Sequence, residues 1–373
     1  MAEGTPFPYA GPIPSEQLPE ALIDRERELQ LLGRRAGDRV AVRLQAPRRY
    51  GKTSLLRVHI ANLDAASWRT AYVDFDGVAD ISDVARRLAL AYGDQNLRWM
   101  RSRLGSALTR LGLSIGAEGG VRLEGERRRD PAAAEQVVYE LLDMPLRVSE
   151  RTGEPTLVVF DEFQELLTAR EDLDALVRSR IQHHGEAATY VYAGSQPSLM
   201  RALFDERSRP LYGQADPLEL GPLDLGELTG ALADRFEIED LDPGEALGAL
   251  VGFAEGHPQR TMMLAYHLAE RLAEGESGTS RLGEEVVTTC VEKTAPEHAA
   301  TWRALTRRGE RPVLTALASG LAATSRKAAA EHRLSHDALA EAAHRLENAG
   351  HLARAGRGWR FVDPLFADWL RRR

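Results

Sequence analysis

The chain has 373 residues, 43% of them hydrophobic and 28% charged, an ordinary globular composition long enough to bury two or three cores. No run approaches the ~18 apolar residues of a membrane span, so no membrane partner is expected. The single cysteine, Cys290, excludes an internal disulfide and suits a buried apolar position in a reducing, cytoplasmic setting.

Charge is spread unevenly. The net −8 divides into +7 over residues 301–373 (14 Arg/Lys, 7 Asp/Glu) and −15 over the first 300. A basic C-terminal module on an acidic body suits either a polyanion partner or a plain basic surface. Residues 1–21 hold Pro and Gly but neither a basic n-region nor an apolar h-region, so an extended arm is expected there and not a signal peptide. Residues 22–37 have helical spacing that ends at Gly37, and residues 39–46 alternate and are β-branched, as in a strand. A loop follows, then a helix from Lys52, a second strand over 69–77 and a helix closed by Gly93. Residues 112–126 carry short alternating runs around Glu118-Gly119-Gly120, which leaves a hairpin and an unordered loop both open. Asp130 and Pro131 open another helix as N-cap and first-turn proline.

Residues 156–166 read as a buried strand, 189–200 as a further strand ending in Gly194-Ser195, and 217–224 as the last one. Strands alternating with helices predict an α/β core with a parallel sheet. From residue 225 the strand signals fade into helices, with a break over 274–283.

The stretch "VRLQAPRRYGKTSLLRV", residues 42–58, carries the chemistry. Ala46, Pro47, Arg48, Arg49, Tyr50, Gly51, Lys52 and Thr53 match G-x-x-x-x-G-K-[ST] except that Ala46 replaces the first Gly, and Ser54 follows. A strand before the motif and a helix after it are the context in which backbone N–H groups and a helix N-terminus bind a phosphate. Lys52 is then expected to bridge β- and γ-phosphates, and Thr53 to bind Mg²⁺. In "VVFDE" an apolar strand carries Asp161 to the end of the sheet, where it would also hold Mg²⁺. Glu162 would orient or deprotonate an attacking water.

Ser195 is read either as a hydrogen-bond partner of the γ-phosphate or as a helix N-cap. In residues 256–260, "GHPQR", Arg260 can approach the phosphates from a lid, or the segment is a plain helix start. Arg207 and Arg209 before "PLYGQ" are candidate trans-acting arginines. His183 and His184 are adjacent and lack metal-ligand spacing, and with no HExxH or CxxC no structural metal is expected.

The C-terminal region reads as a winged helix. "RPVLTALASG" is one helix. A second has Ser335 as N-cap, Leu339, Ala342, Ala343 and Leu346 on one face and Gly350 as its stop. A hairpin with Gly356-Arg357-Gly358 at its tip would place Arg354, Arg357 and Arg360 on the wing. DNA contact is one reading. Asp337, Glu341 and Glu347 against Arg345 on the would-be recognition helix favour protein docking as the other.

The series "IDRERELQLL", "APRRYGKTSLL", "VVFDEFQEL", "AGSQPSLM", "RPLYGQ" and "GHPQR" resembles the archaeal-type ATPase family, P-loop ATPases of the AAA+/STAND kind with a C-terminal winged helix. The resemblance spans about residues 20–373. It implies Ile23, Asp24 and Arg25 near the adenine, Ser195 as sensor 1, and a lid sensor at residues 256–258 that includes Pro258. Gln214 stands where similar sequences often carry Arg. The expected organisation is an arm over 1–21, a P-loop core over 22–224, a helical lid over 225–295 and a winged helix over 296–373. The expected cofactors are ATP and Mg²⁺. The expected function is an ATPase of low turnover that uses Mg-ATP binding and slow hydrolysis as a conformational switch on the winged helix, with a protein partner or further copies of itself. The competing expectation is a DNA-associated AAA+-type ATPase of replication, transposition or defence.

Overall fold

The computed structural model describes residues 7–9, 13, 22–93, 97–124 and 129–373. The rest of the expected arm and residues 125–128 lie outside the described residues. The chain divides into two compact units, one of Glu26–Ala46 with Leu55–Glu219, the other of Met1–Arg25, Pro47–Ser54 and Leu220–Arg373.

The first unit opens with α1 (Glu26–Gly37), β1 (Val42–Gln45), α2 (Lys52–Ala65, from Leu55 onward), β2 (Arg69–Asp74) and α3 (Ile81–Ala91). It continues with α4 (Arg101–Arg110), β3 (Leu113–Ile115), β4 (Val121–Leu123), α5 (Pro131–Leu142), α6 (Met144–Thr152) and β5 (Thr156–Asp161). It closes with α7 (Leu166–Ala169), α8 (Leu173–Ile181), β6 (Ala188–Gly194), α9 (Pro197–Asp205) and β7 (Asp216–Glu219). The main sheet is parallel in the order β2-β5-β6-β1-β7.

Every residue of β1, β5 and β6 is buried. Strands covered on both faces need near-continuous apolar runs, which is why their sequences read so clearly. Pro217 sits in edge strand β7, where a missing N–H leaves no ladder bond broken.

Three local outcomes follow from backbone chemistry. Helix α1 starts at Glu26 and not at residue 22, because Asp24 holds φ +50° in the left-handed region. Leu113 pairs with Leu123 and Ile115 with Val121, so the ambiguous segment is an antiparallel hairpin. Asp130 accepts from the Ala133 N–H at 2.9 Å and Pro131 occupies the first turn of α5, as the pair predicts.

The second unit runs α10 (Leu225–Ile238), α11 (Gly244–Ala254), α12 (Pro258–Ala273), α13 (Ser280–Ala304) and α14 (Glu310–Ala318). Then come α15 (Arg326–His332), α16 (His336–Asn348), β8 (Leu352–Ala355), β9 (Gly358–Phe361) and α17 (Pro364–Arg371). One core gathers Leu228, Leu232, Phe236, Leu250, Leu264 and Cys290 with Ile23 and Phe7, whose ring lies 4.6 Å from that of Phe236. The other gathers Val313, Leu314, Leu339, Ala342, Ala343, Leu346 and Phe366. The predicted stripe of α16 is therefore its buried face, and α14, α15, α16 and the β8–β9 hairpin follow one another in winged-helix order.

Helices α15 and α17 were not expected from the sequence. Asp363-Pro364 carries the same cap signal as Asp130-Pro131, and the Asp363 carboxylate accepts from the Leu365 and Phe366 N–H groups. Helix α13 runs unbroken through Pro296, so the expected lid–wing boundary at 295/296 falls inside it. No helix among the described residues is long and apolar enough to cross a membrane.

Candidate functional site

In the second unit the loop after Pro47 turns tightly. The Tyr50 N–H donates to the Pro47 carbonyl at 3.3 Å, and Tyr50 is flanked by Arg49 at φ +70° and Gly51 at φ +83°. Left-handed residues beside right-handed ones turn successive N–H groups inward and make an anion-binding hollow. For Arg49 the conformation costs about 1 kcal/mol. A Cβ on Gly51 would meet nothing within 4 Å, so the glycine is required by its backbone angle and the space beside it is open. Helix α2 begins at Lys52 with no acid in its first turn, which leaves its positive end to an outside anion. Lys52 and Ser54 are buried, and Arg48 and Arg49 are exposed.

The loop residues are held by α12, α13 and the winged helix. The Tyr50 ring lies 5.0 Å edge-on to that of His257. Arg49 Nη1 donates to Glu297 Oε1 at 2.8 Å. Burial raises the Tyr50 hydroxyl pKa, and the nearby Arg360 guanidinium opposes that rise.

Pro258 opens α12, and His257 is its N-cap, with Nδ1 accepting from the Arg260 N–H at 3.3 Å. Arg260 is 1% exposed, and its guanidinium forks onto Asp363, with Nε 3.1 Å from both carboxylate oxygens and Nη2 2.5 Å from Oδ2. The lid arginine therefore has a carboxylate on the winged helix as its partner, where the sequence suggested a phosphate. Burial raises the Asp363 carboxyl, but the Arg260 charge and hydrogen bonds outweigh it and hold the group below its usual value.

Ile23, Asp24 and Arg25 also belong to this unit. Ile23 enters the core beside Leu223, Asp24 Oδ2 accepts from the Asp224 N–H at 2.5 Å, and Arg25 Nη2 donates to the Gly221 carbonyl at 2.7 Å. The three pin the chain ahead of α1 to the chain entering α10.

In the first unit the sheet sets the other half of the chemistry. Gln45 is level with Gly194 and Asp74 with Asp161, so β1, β6 and β5 deliver Ala46, Ser195 and Asp161 to one edge, with β6 between the other two. Ala46 donates its N–H to the Gly194 carbonyl at 3.3 Å. Asp161 is buried and accepts from the Tyr72 hydroxyl at 2.5 Å and the Glu162 N–H at 2.9 Å.

Glu162 stands in the left-handed region at φ +48°. Its Oε2 accepts from Ser195 Oγ at 2.7 Å, the Ser195 N–H at 3.2 Å and Gln164 Nε2 at 2.6 Å. Ser195 is thus neither an N-cap, a position that Gln196 takes, nor a lone polar group. It grips the glutamate. The pairings by Tyr72 and Gln164 were not legible in the sequence, since neither residue type marks a strand-end carboxylate.

The remaining candidates have other work. Arg209 Nη1 lies 3.4 Å from the buried Asp174 carboxylate, Arg207 is exposed, and Gln214 bonds the Tyr212 carbonyl. His184 pairs with the Tyr190 hydroxyl at 2.5 Å. Among the described residues no group of three or more His, Cys, Asp or Glu is placed to hold a metal. Burial pushes the Cys290 thiol up to about 12, consistent with an inert core position.

Two buried histidines make stability acid-sensitive. Burial lowers His59 and His257 to about 4 from the ordinary 6.5. The unfolded chain then binds more protons than the folded one between those values, so stability is lost as pH falls from 6.5 towards 4. Each is expected to remove on the order of 2–3 kcal/mol by the acid end. Urea midpoints measured at pH 7, 5.5 and 4.5 check this, and His59→Gln should flatten the fall.

A parallel sheet with a phosphate-type loop after a central strand and an acid pair after its second neighbour defines the P-loop ATPase fold. Solved structures share it. The Walker-type ATPase of Pyrococcus abyssi matches with a TM-score of 0.69 at 18% identity, over 98% of this chain and 100% of that one. The ORC2 protein of Aeropyrum pernix, solved as ADPNP-ADP complexes, matches with a TM-score of 0.62 at 15% identity, over 98% and 95%. The ADP form of that protein matches at 0.54 and 16% identity. No family model matches the chain, and no curated protein does. The chain thus shares its fold with that Walker-type ATPase and with ORC2.

Proposed function

We propose that the protein binds Mg-ATP on the loop ahead of Lys52, hydrolyses it slowly, and uses the change to reposition its C-terminal winged helix. The carrying observation is the loop itself, with left-handed Gly51 feeding an acid-free helix start at Lys52. The residues fit the cofactor: a loop with Arg49 and Gly51 in the left-handed region, feeding a helix start, suits phosphate oxygens, and the Thr53 hydroxyl and Asp161 carboxylate are hard oxygen donors of the kind Mg²⁺ selects. Thr53 and Asp161 would hold the ion, which would neutralise phosphate charge when bound. Lys52 would bind the phosphates. Glu162, gripped by Ser195 and Gln164, would orient and deprotonate water. The fold neighbour solved with ADPNP and ADP supports nucleotide as the ligand.

A DNA-associated role draws on the +7 charge of residues 301–373. Against it, Arg354 lies over the Trp359 ring at 4.2 Å and pairs with Glu347, while Asp337 and Glu341 are 97% and 78% exposed on α16. Protein docking is the reading we favour.

Titration with a fluorescent ATP analogue tests the proposal. Lys52→Ala is expected to weaken binding about 100-fold, since a buried charge partner of the phosphates is lost. Equal affinity in wild type and variant removes the proposal.

A further inference from the structure

Four charges of alternating sign run from the phosphate loop to the last helix. Arg49 Nη1 meets Glu297 Oε1 at 2.8 Å; that same oxygen lies 3.7 Å from Arg260 Nη2; and Arg260 forks onto Asp363, whose carboxylate caps α17. A second line runs beside the first, from the Tyr50 ring to His257 and from His257 Nδ1 to the Arg260 N–H. Both lines converge on Arg260, the largest fully buried side chain among the described residues. Beyond the cap, Leu365 enters the α10–α13 core and Phe366 the winged-helix core, so α17 is fixed to both.

Arg49 and Glu297 are each about half exposed. Their bond is therefore weak and exchangeable, whereas the Arg260–Asp363 fork is buried and persistent. An anion in the loop competes with Glu297 for the Arg49 guanidinium, since both are oxygen acceptors for the same donors. A Glu297 released from Arg49 has Arg260 as its next cation, already within 3.7 Å. Drawing Arg260 towards Glu297 loosens its hold on the cap of α17. The loop, the lid and the wing are thus joined by one rearrangement of charge pairs, in which Asp363 gives up part of its guanidinium and keeps the Leu365 and Phe366 N–H groups.

We propose that Arg49, Glu297, Arg260 and Asp363 form an ionic relay through which occupation of the phosphate loop is read by α17 and the winged helix. Glu297 is its exchange point and a positioning residue that does not touch the nucleotide. The relay rests on the nucleotide reading above. By linkage, whatever the nucleotide does to α17, the state of α17 does to nucleotide affinity.

Hydrogen exchange of the α17 amides, measured on the full chain with and without ADP, tests it alongside a fluorescent-ADP titration. In the wild type ADP is expected to change α17 exchange by about 5-fold. In Glu297→Gln, a half-exposed position where the fold tolerates the change, ADP still binds but the α17 response disappears. A response of equal size in Glu297→Gln overturns the relay, as does ADP binding to the wild type with α17 silent. No ADP uptake by the wild type instead sinks the nucleotide reading, and the relay with it.

Discussion

Asp363→Ala is expected to destabilise the protein by about 4 kcal/mol, the cost of leaving a buried guanidinium without its carboxylate. Arg260 is 1% exposed, so water does not reach it to replace the lost partner. Part of the loss, about 1 kcal/mol, comes from the α17 cap, because the same carboxylate accepts from Leu365 and Phe366. Asp363→Asn separates the two: an asparagine still caps, so its deficit reports the ion pair alone.

Joint replacement by Arg260→Met and Asp363→Leu should recover most of the stability, since a buried pair exchanged for apolar groups is often neutral. Urea unfolding followed by far-UV circular dichroism measures these deficits. A shift below 1 kcal/mol for Asp363→Ala would mean that Glu297, 3.7 Å away, takes over the guanidinium.

Glu162→Gln is expected to lower ATP turnover about 1000-fold while ATP binding stays within a factor of a few. Glutamine keeps an oxygen for the Ser195 hydroxyl and N–H, so the side chain holds its place. It cannot take a proton from water. Ser195→Ala removes one of those donors and should cost less, because Gln164 still holds the carboxylate at 2.6 Å. Phosphate release under single turnover, set beside the ATP titration, separates the two effects. A rate that is negligible in the wild type and unchanged in Glu162→Gln would make the protein a nucleotide-binding module without hydrolysis.

Features written in consecutive residues could be read from the sequence, and features made by distant pairs could not. The loop from Ala46 to Ser54 announces itself because strand, turn glycine, lysine and helix start are contiguous. Asp161-Glu162 does so because a fully buried strand needs an apolar run that ends somewhere. The strand ending in Gly194-Ser195 was legible for the same reason, and its place between β5 and β1 came only with the sheet order. The partners of these groups were hidden. Arg49 meets a residue 248 positions away, Arg260 one 103 away, and Asp161 a tyrosine 89 away. No spacing rule links such positions in a single sequence. Helix α17 is a different case: its Asp-Pro signal was present, but it adjoined a hairpin whose glycine tip dominated the pattern.

Helix α13 has a mechanical consequence. Its early turns lend Val286 and Cys290 to one core, while Trp302 near its end packs on the other. At 25 residues it is a strut of about 37 Å. A strut shared in this way transmits torque: the wing swings only if the strut turns as a whole or flexes where Pro296 has removed a rung of its ladder. Glu297 is the next residue along, so the exchange of its ionic partners acts at the softest point of the shaft.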